Sequence, residues 1–404
     1  MRGTGEVIGL AAAVGALLIG VGPGTPIGPE AFGQHVAGLA TAAPTTVTLT
    51  SVRLWDSGVR WDQIEKAPDR YDWTALDAAV TNAQSAGATD ILYVLGSTPR
   101  WASRSPDLPG LYGPGSTALP TDPEDYLDFL REAATRYKGR ITSYQIWNEA
   151  NTRSFYEGDW NRLAQLTRRA YDTVKITDPS ALVVAASSTV IPDPAFYDES
   201  FFFRYARALH RAGDPVDAMA VHLYPVDTTK GPDARAESIR AAQRVLNKLG
   251  IDRPLWDTEV NYGDRRAGLP QVVPDSETAV TYVARTFLDS ATLGIARTYW
   301  YGWDLSVLGI DMTDASGITP AGSAFVTVRS WLSGARSAGC WDDAGLRRCA
   351  FTAADGAPFT VVWSLDAPVT LDATGLQVCR LDGACVDGTS TERITGQPLL
   401  LKTG

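Results

Sequence analysis

Short apolar runs alternate with longer amphipathic stretches along most of this chain, and that alternation limits the fold more than any other feature. Eight runs read as strands: Ala31–Val36, Ser51–Trp55, Asp90–Leu95, Ile141–Trp147, Ala181–Ala186, Asp217–His222, Pro254–Thr258 and Ala296–Gly302. Between them, 74–86, 122–137, 161–176, 200–212, 233–249, 277–293 and 321–332 carry apolar residues at helical spacing. Thr121 is the expected N-cap of the second, with Pro123 in its first turn. Several of these stretches end near a glycine: Gly139, Gly213, Gly250, Gly294 and Gly334. Strands alternating with helices predict an α/β fold with a parallel sheet, and eight such units close into a TIM (β/α)8 barrel. An open doubly wound sheet is the rival, but no G-x-G-x-x-G follows the first strand. The run 110–115 has glycines in a Pro-rich context and reads as irregular backbone.

After Ala335 the helical period stops. Arg348–Thr352, Phe359–Trp363, Val369–Asp372, Leu376–Arg380 and Leu399–Lys402 read as short strands separated by turn residues. The expected organisation is a leader over 1–28, a catalytic barrel over 29–335 and a β-sandwich-like module over 336–404. A structural appendage is favoured over a carbohydrate-binding module there, because few of its aromatics look exposed. All four cysteines lie in this last part. Their spacings favour Cys340–Cys349 and Cys379–Cys385 over the other two pairings. No C-x-x-C occurs and no histidine follows His222, so a zinc site is disfavoured.

Val7–Val21 is an apolar stretch of 15 residues, too short for a bilayer span and suited to a signal-peptide core. Glu6 is unusual beside such a core, so an uncleaved N-terminal anchor stays open. Leader and disulfides together predict a secreted or cell-envelope protein. The net charge is −10 and no Lys/Arg run stands out, which argues against nucleic acid. No membrane contact beyond a retained anchor is expected, and the chain reads as a monomer.

Two carboxylates carry the chemistry. Ile146-Trp147-Asn148-Glu149-Ala150-Asn151 ends the fourth strand, and Trp256-Asp257-Thr258-Glu259 ends the seventh. The C-terminal strand ends of a barrel carry its active site, and the fourth and seventh face each other across the mouth. Alone, a W-N-E is as readily a surface carboxylate at a strand end. A second carboxylate motif 110 residues on shifts the balance to function. Asp56 and Asp257 read as structural ion-pair partners, His210 as a surface residue, and Trp55, Trp61 and Trp73 as wall packing. No G-x-S-x-G elbow is present. No three ligands share a metal-site spacing, so neither metal nor cofactor is expected.

With these motifs in order, the chain resembles clan A glycoside hydrolases, family 39 or family 5. Val52-Arg53-Leu54-Trp55-Asp56, Tyr93-Val94-Leu95-Gly96, Val221-His222-Leu223-Tyr224-Pro225 and Trp300-Tyr301-Gly302-Trp303 resemble the second, third, sixth and eighth strand ends of that clan. The likeness spans roughly 31–335. It implies a retaining glycosidase with Glu149 as acid/base and Glu259 as nucleophile. It further implies that Asn148 binds the sugar 2-hydroxyl and Arg53 keeps Glu259 ionised. Tyr224 would hydrogen-bond the nucleophile and His222 would line the catalytic subsite. Trp300 or Trp303 would form the stacking floor, with Trp101 and His35 as weaker lining residues. The implied partner is a carbohydrate: a plant β-glycan, or a bacterial wall or surface glycan of galactofuranose or arabinofuranose. A transglycosylase with the same site and a non-catalytic glycan-binding barrel are the alternatives.

Overall fold

The computed structural model describes residues 24–190 and 200–403, so the expected leader lies outside the described residues. Eight parallel strands form the central sheet: β1 Phe32–His35, β2 Ser51–Leu54, β3 Asp90–Val94, β4 Ser143–Gln145, β5, β6 Met219–His222, β7 Leu255–Val260 and β8 Ile295–Tyr301. The fifth is interrupted, running over Leu182–Val184 and resuming at Ser188–Thr189. Its first half pairs with β4 and its second with β6, and the parallel bridge Val184–Ala218 closes the barrel. All eight strands fall where the apolar runs predict them.

Helices follow seven of the strands: α1 Thr74–Ser85, α2 Pro123–Arg136, α3 Trp160–Thr177, α4 Phe201–Arg211, α5 Pro232–Leu249, α6 Ser276–Leu293 and α7 Pro320–Leu332. After β1 a single 3-10 turn, Ala37–Ala40, stands in place of an α-helix. The cap of α2 is Asp122 rather than Thr121; its carboxylate accepts from the Glu124 N–H at 2.9 Å. A carboxylate there also meets the positive end of the helix dipole, which a threonine does not. Gly250 and Gly294 end α5 and α6 in the left-handed conformation (φ 70° and 77°), where a side chain would be strained.

The barrel interior is polar at both ends and is held by buried ions. Near the strand N-termini, Asp90 accepts from Ser51 Oγ at 2.6 Å and from Arg297 Nη1 at 2.6 Å. At the C-terminal ends, Arg53 plays the corresponding part, described below. Around the barrel, Phe32, Phe287 and Phe325 link β1 to α6 and α7 through ring contacts of 5.7 and 5.1 Å.

The C-terminal region is a six-stranded antiparallel sheet in the order β9-β10-β11-β16-β13-β14, with a two-stranded ladder, β12-β15, over it. The ranges are β9 Arg336–Asp343, β10 Leu346–Thr352, β11 Pro358–Ser364, β12 Val369–Asp372, β13 Leu376–Cys379, β14 Cys385–Asp387, β15 Thr391–Ile394 and β16 Leu399–Thr403. Leu346, Val362, Val378, Leu399 and Leu401 pack against Val369, Leu371 and Ile394 of the ladder, giving a small sandwich. The opposite face, with Cys349, Val361 and Leu400, joins the core of the barrel. Arg285 of α6 lies 5.3 Å over the Trp363 ring at that junction. Both expected disulfides form, each joining directly opposed residues of adjacent strands: Cys340–Cys349 across β9 and β10, Cys379–Cys385 across β13 and β14. Three strands escape the sequence reading. A register shift between Ser337 and Gly339 breaks the alternation of β9, while β14 and β15 are short and mostly polar.

Candidate active site

Glu149 and Glu259 stand at the C-terminal ends of β4 and β7 in an open cleft of ≈ 590 Å³. One oxygen of each and His222 Nδ1 all lie within 4.8 Å of one another. Backbone irregularities aim both carboxylates into the mouth. Glu149 has φ 41°, a left-handed conformation that a branched or long side chain adopts only under constraint. The constraint comes from the turn after the first half of β5. Ser187 Oγ accepts from the Glu149 N–H at 2.9 Å, and the Ser187 carbonyl accepts from the Ala150 N–H at 2.9 Å. In β7, strict alternation would put Asp257 and Glu259 on one face. A register shift between them sends Asp257 outward to Arg235 of α5 and turns Glu259 inward.

The two carboxyls have unequal surroundings. Arg53 reaches across the barrel from β2. It donates through Nη1 to Glu259 Oε1 at 2.5 Å, through Nη2 to Asn148 Oδ1 at 2.7 Å and through Nε to Gln145 Oε1 at 3.0 Å. Tyr224 donates its hydroxyl to Glu259 Oε2 at 3.0 Å. Asn148 is thereby oriented so that its amide NH₂ is the group left for a ligand. The Glu149 side chain receives neither guanidinium nor phenol; its described side-chain partner is His222 Nδ1 at 2.9 Å. That nitrogen is also 3.3 Å from Glu259 Oε2.

Burial pushes the Glu149 carboxyl up to about 7, against the pull of Arg53 and Arg266. Burial also raises Glu259, with the Arg53 guanidinium opposing it. Two direct donors, one of them a fixed cation, favour the charged form of Glu259 over that of Glu149. His222 is held down to about 3 by burial, so the ring stays neutral and adds no charge between the carboxyls. Together, Glu149, His222 and Glu259 present three atoms that a divalent cation could use. Arg53 already occupies Glu259 from one side and would repel a second cation, so the donor set fits proton transfer better than metal binding.

The walls hold Tyr112 and Phe155, which sequence reasoning did not single out, and Asp56 and Trp55, which it read as an ion-pair partner and as wall packing. Asp56 accepts from the hydroxyls of Tyr112 at 3.0 Å and Tyr301 at 2.8 Å, and Trp55 Nε1 donates to Tyr112 at 3.0 Å. These four, with Phe155, line the cleft. Asp56 therefore faces the site rather than serving an ion pair, and Trp55 is a cleft residue. On the far wall, Arg266 is paired with buried Asp264 at 2.6 Å.

Of the expected lining residues, Arg53, Asn148, His222 and Tyr224 gather around the carboxyls. His35 lies just beneath, its ring 4.7 Å from that of Tyr301. Three tryptophans are elsewhere. Trp300 points out of the barrel, fully buried, toward Tyr262 at 6.0 Å. Trp303 is buried on Phe325, its indole N–H bonded to Thr46 Oγ1 at 2.9 Å. Trp101 packs edge-on against Trp61 and donates to the Glu65 carbonyl at 2.9 Å. The expected stacking floor at Trp300 or Trp303 is thus corrected: strand alternation puts Tyr301, not Trp300, over the mouth. Parity from Tyr299, which faces inward to Ser51 at 3.1 Å, would have identified it.

No protein-family model and no curated protein sequence matches the chain. Solved structures do. A family 39 glycoside hydrolase from Bacteroides cellulosilyticus is 17% identical with a TM-score of 0.66, over 88% of this chain and 76% of its own. A glucosidase from Croceicoccus marinus is 15% identical with a TM-score of 0.68, over 96% and 98%. A family 51 arabinofuranosidase from Xanthomonas axonopodis is 13% identical with a TM-score of 0.61, over 95% and 98%. At such identities the likeness is one of architecture: the chain has the barrel fold of the clan A glycoside hydrolases.

Proposed function

We propose that this protein is a retaining glycoside hydrolase working by double displacement. The observation that carries the reading is two carboxyls on facing strands, Glu259 buried and Glu149 partly so, within 4.8 Å and in unequal environments. That spacing suits direct attack and is too short for a water to enter between carboxylate and sugar, which needs roughly 6.5–9.5 Å. In the first step a Glu259 oxygen attacks the anomeric carbon, the bond to the leaving oxygen breaks, and Glu149 gives that oxygen its proton. In the second, Glu149 takes a proton from water as the water oxygen attacks the same carbon and frees Glu259. Arg53 and Tyr224 hold Glu259 charged until attack, and burial keeps Glu149 protonated near neutral pH. Neutral His222 orients both without competing for the proton.

The substrate class follows from the walls. Trp55, Tyr112 and Tyr301 offer aromatic faces, and Asp56 and the Asn148 amide offer polar partners for hydroxyls. The solved structures of similar architecture include a glucosidase, an arabinofuranosidase, a xyloglucanase and a xylanase, so pyranosides and furanosides both deserve testing. Two disulfides support action outside the cytoplasm, on a wall, surface or plant glycan.

Azide separates the two roles. On an aryl glycoside identified from a panel of pyranosides, furanosides and arabinogalactan fragments, E149A with azide should yield a glycosyl azide of retained configuration. E259A with azide should yield the inverted one, and the wild type should release sugar of retained configuration by NMR. Normal turnover by E259A without azide would sink the assignment.

A further inference from the structure

The cleft mouth carries a second kind of surface. Five exposed aliphatic side chains sit on loops at the C-terminal strand ends: Leu111 (62% exposed), Val226 (67%), Leu269 (46%), Val273 (52%) and Ile318. They come from four separate loops, after β3, β6, β7 and β8. Among the described residues of the barrel, the one other large apolar side chain so exposed is Ile176, at the opposite end. Leu111 and Val226 line the cleft itself, with Val307 and Leu308 beside them. Aliphatic side chains that line a cleft beside polar groups suit a ligand with an apolar part, and Leu111, Val226, Val307 and Leu308 supply them here.

Its chemistry is unlike that of the floor. Sugar rings present a flat C–H face edged with hydroxyls, which Trp55, Tyr112 and Tyr301 match. Leucine and valine side chains are neither flat nor hydrogen-bonding; what they match is a flexible hydrocarbon chain. Leu111 is tied to the segment that follows Glu149, its N–H donating to the Ser154 carbonyl at 3.4 Å.

We infer that the cleft mouth binds the alkyl or acyl chain of an amphipathic glycoside against Leu111, Val226, Val307 and Leu308. This rests on the glycosidase reading for the sugar that carries the chain, but not for its test. The probes are n-butyl and n-octyl glucosides below their micelle-forming concentrations, titrated into the full chain by calorimetry. A fully buried methylene strengthens binding roughly fourfold. Four methylenes half-buried in an open groove should then make octyl bind about tenfold tighter than butyl. L111S/V226S should remove that ratio, and I176S, at the far end of the barrel, should keep it. Equal affinities for the two chains, no binding of either, or a tenfold ratio that survives L111S/V226S would each overturn the inference. Binding that follows chain length and is lost in L111S/V226S leaves the apolar mouth standing whether or not the glucoside is cleaved.

Discussion

Arg53 and Glu259 form an ion pair of 2.5 Å that spans the barrel mouth from the second strand to the seventh, with the guanidinium fully buried. Every nitrogen of Arg53 has a partner among Glu259, Asn148 and Gln145. Taking that arginine away leaves a carboxylate buried without its cation, which typically costs about 3–5 kcal/mol. R53M is therefore expected to lose stability of that order in urea. Because Glu259 would then protonate more readily, any residual activity should fall off at a higher pH on the acid side than in the wild type. An acid limb that does not move would detach Arg53 from the ionisation of Glu259.

The alkaline limb should belong to Glu149. Its carboxyl is raised to about 7 by burial, and the proposed first step needs its proton. Glycosidase activity, followed as kcat/KM on an aryl glycoside whose leaving group needs protonation, should decline as pH rises through about 7. An activated dinitrophenyl glycoside, which departs without a proton, should show a weaker decline. Identical limbs for both substrates would remove Glu149 from the acid role.

The same carboxyl makes a prediction about stability. A carboxylic acid whose folded value lies above its unfolded one destabilises the fold wherever the unfolded state would ionise it. For Glu149 that penalty is absent below about 4.5, grows between there and about 7, and is full above. E149Q, which removes the charge and keeps the shape, should melt a few degrees higher than wild type at pH 8 and the same at pH 4.5. Catalytic loss with stability gain is the expected signature of a group whose strain serves function.

Tyr301 and Trp300 are neighbours on β8 with opposite duties, and substitution should separate them. Y301F removes a hydroxyl bonded to Asp56 at 2.8 Å in the cleft wall. A hydrogen bond to a charged group contributes about 1.5–3 kcal/mol. Y301F should lower stability by up to that amount and, because the bond holds the cleft wall, should also lower kcat/KM. W300F trims a buried ring on the helix side. It should lower stability by about 1–3 kcal/mol and leave KM near the wild-type value.

That pair also shows what the sequence could and could not reveal. The eight barrel strands were legible because strands covered on both faces need continuous apolar runs, and those runs stand out between amphipathic helices. The meeting of Glu149 and Glu259 was legible because both close predicted strands that face each other across the barrel. The aromatic floor was not. Three aromatic residues lie within Trp300–Trp303, and only the parity of the inward-facing Tyr299 tells which of them looks into the mouth. Tyr112 lies in a long Pro/Gly-rich loop without any period, so its approach to Asp56 depends on tertiary packing alone. The bulge that separates Asp257 from Glu259 is likewise invisible in a string where both are simply acidic residues two apart.

Asp257 is the outward partner of that bulge and carries the final prediction. It is fully buried, pushed up to about 6 by burial, and accepts from Arg235 Nη2 at 2.7 Å and Nε at 2.9 Å. It also accepts the Leu223 N–H at 3.1 Å, so it fixes the strand end from which His222 and Tyr224 project. R235M strips the one cation bonded to it among the described residues. Above its folded value Asp257 must then stay charged in a dry site or draw a proton, and either costs stability; at low pH it is already neutral. The loss measured by urea denaturation should be several kcal/mol at pH 8 and clearly smaller at pH 5. D257N in the same background should recover part of the pH 8 loss, since a neutral amide needs no counter-ion. If R235M is equally damaging at both pH values, the cost lies in lost arginine packing rather than in the orphaned carboxylate.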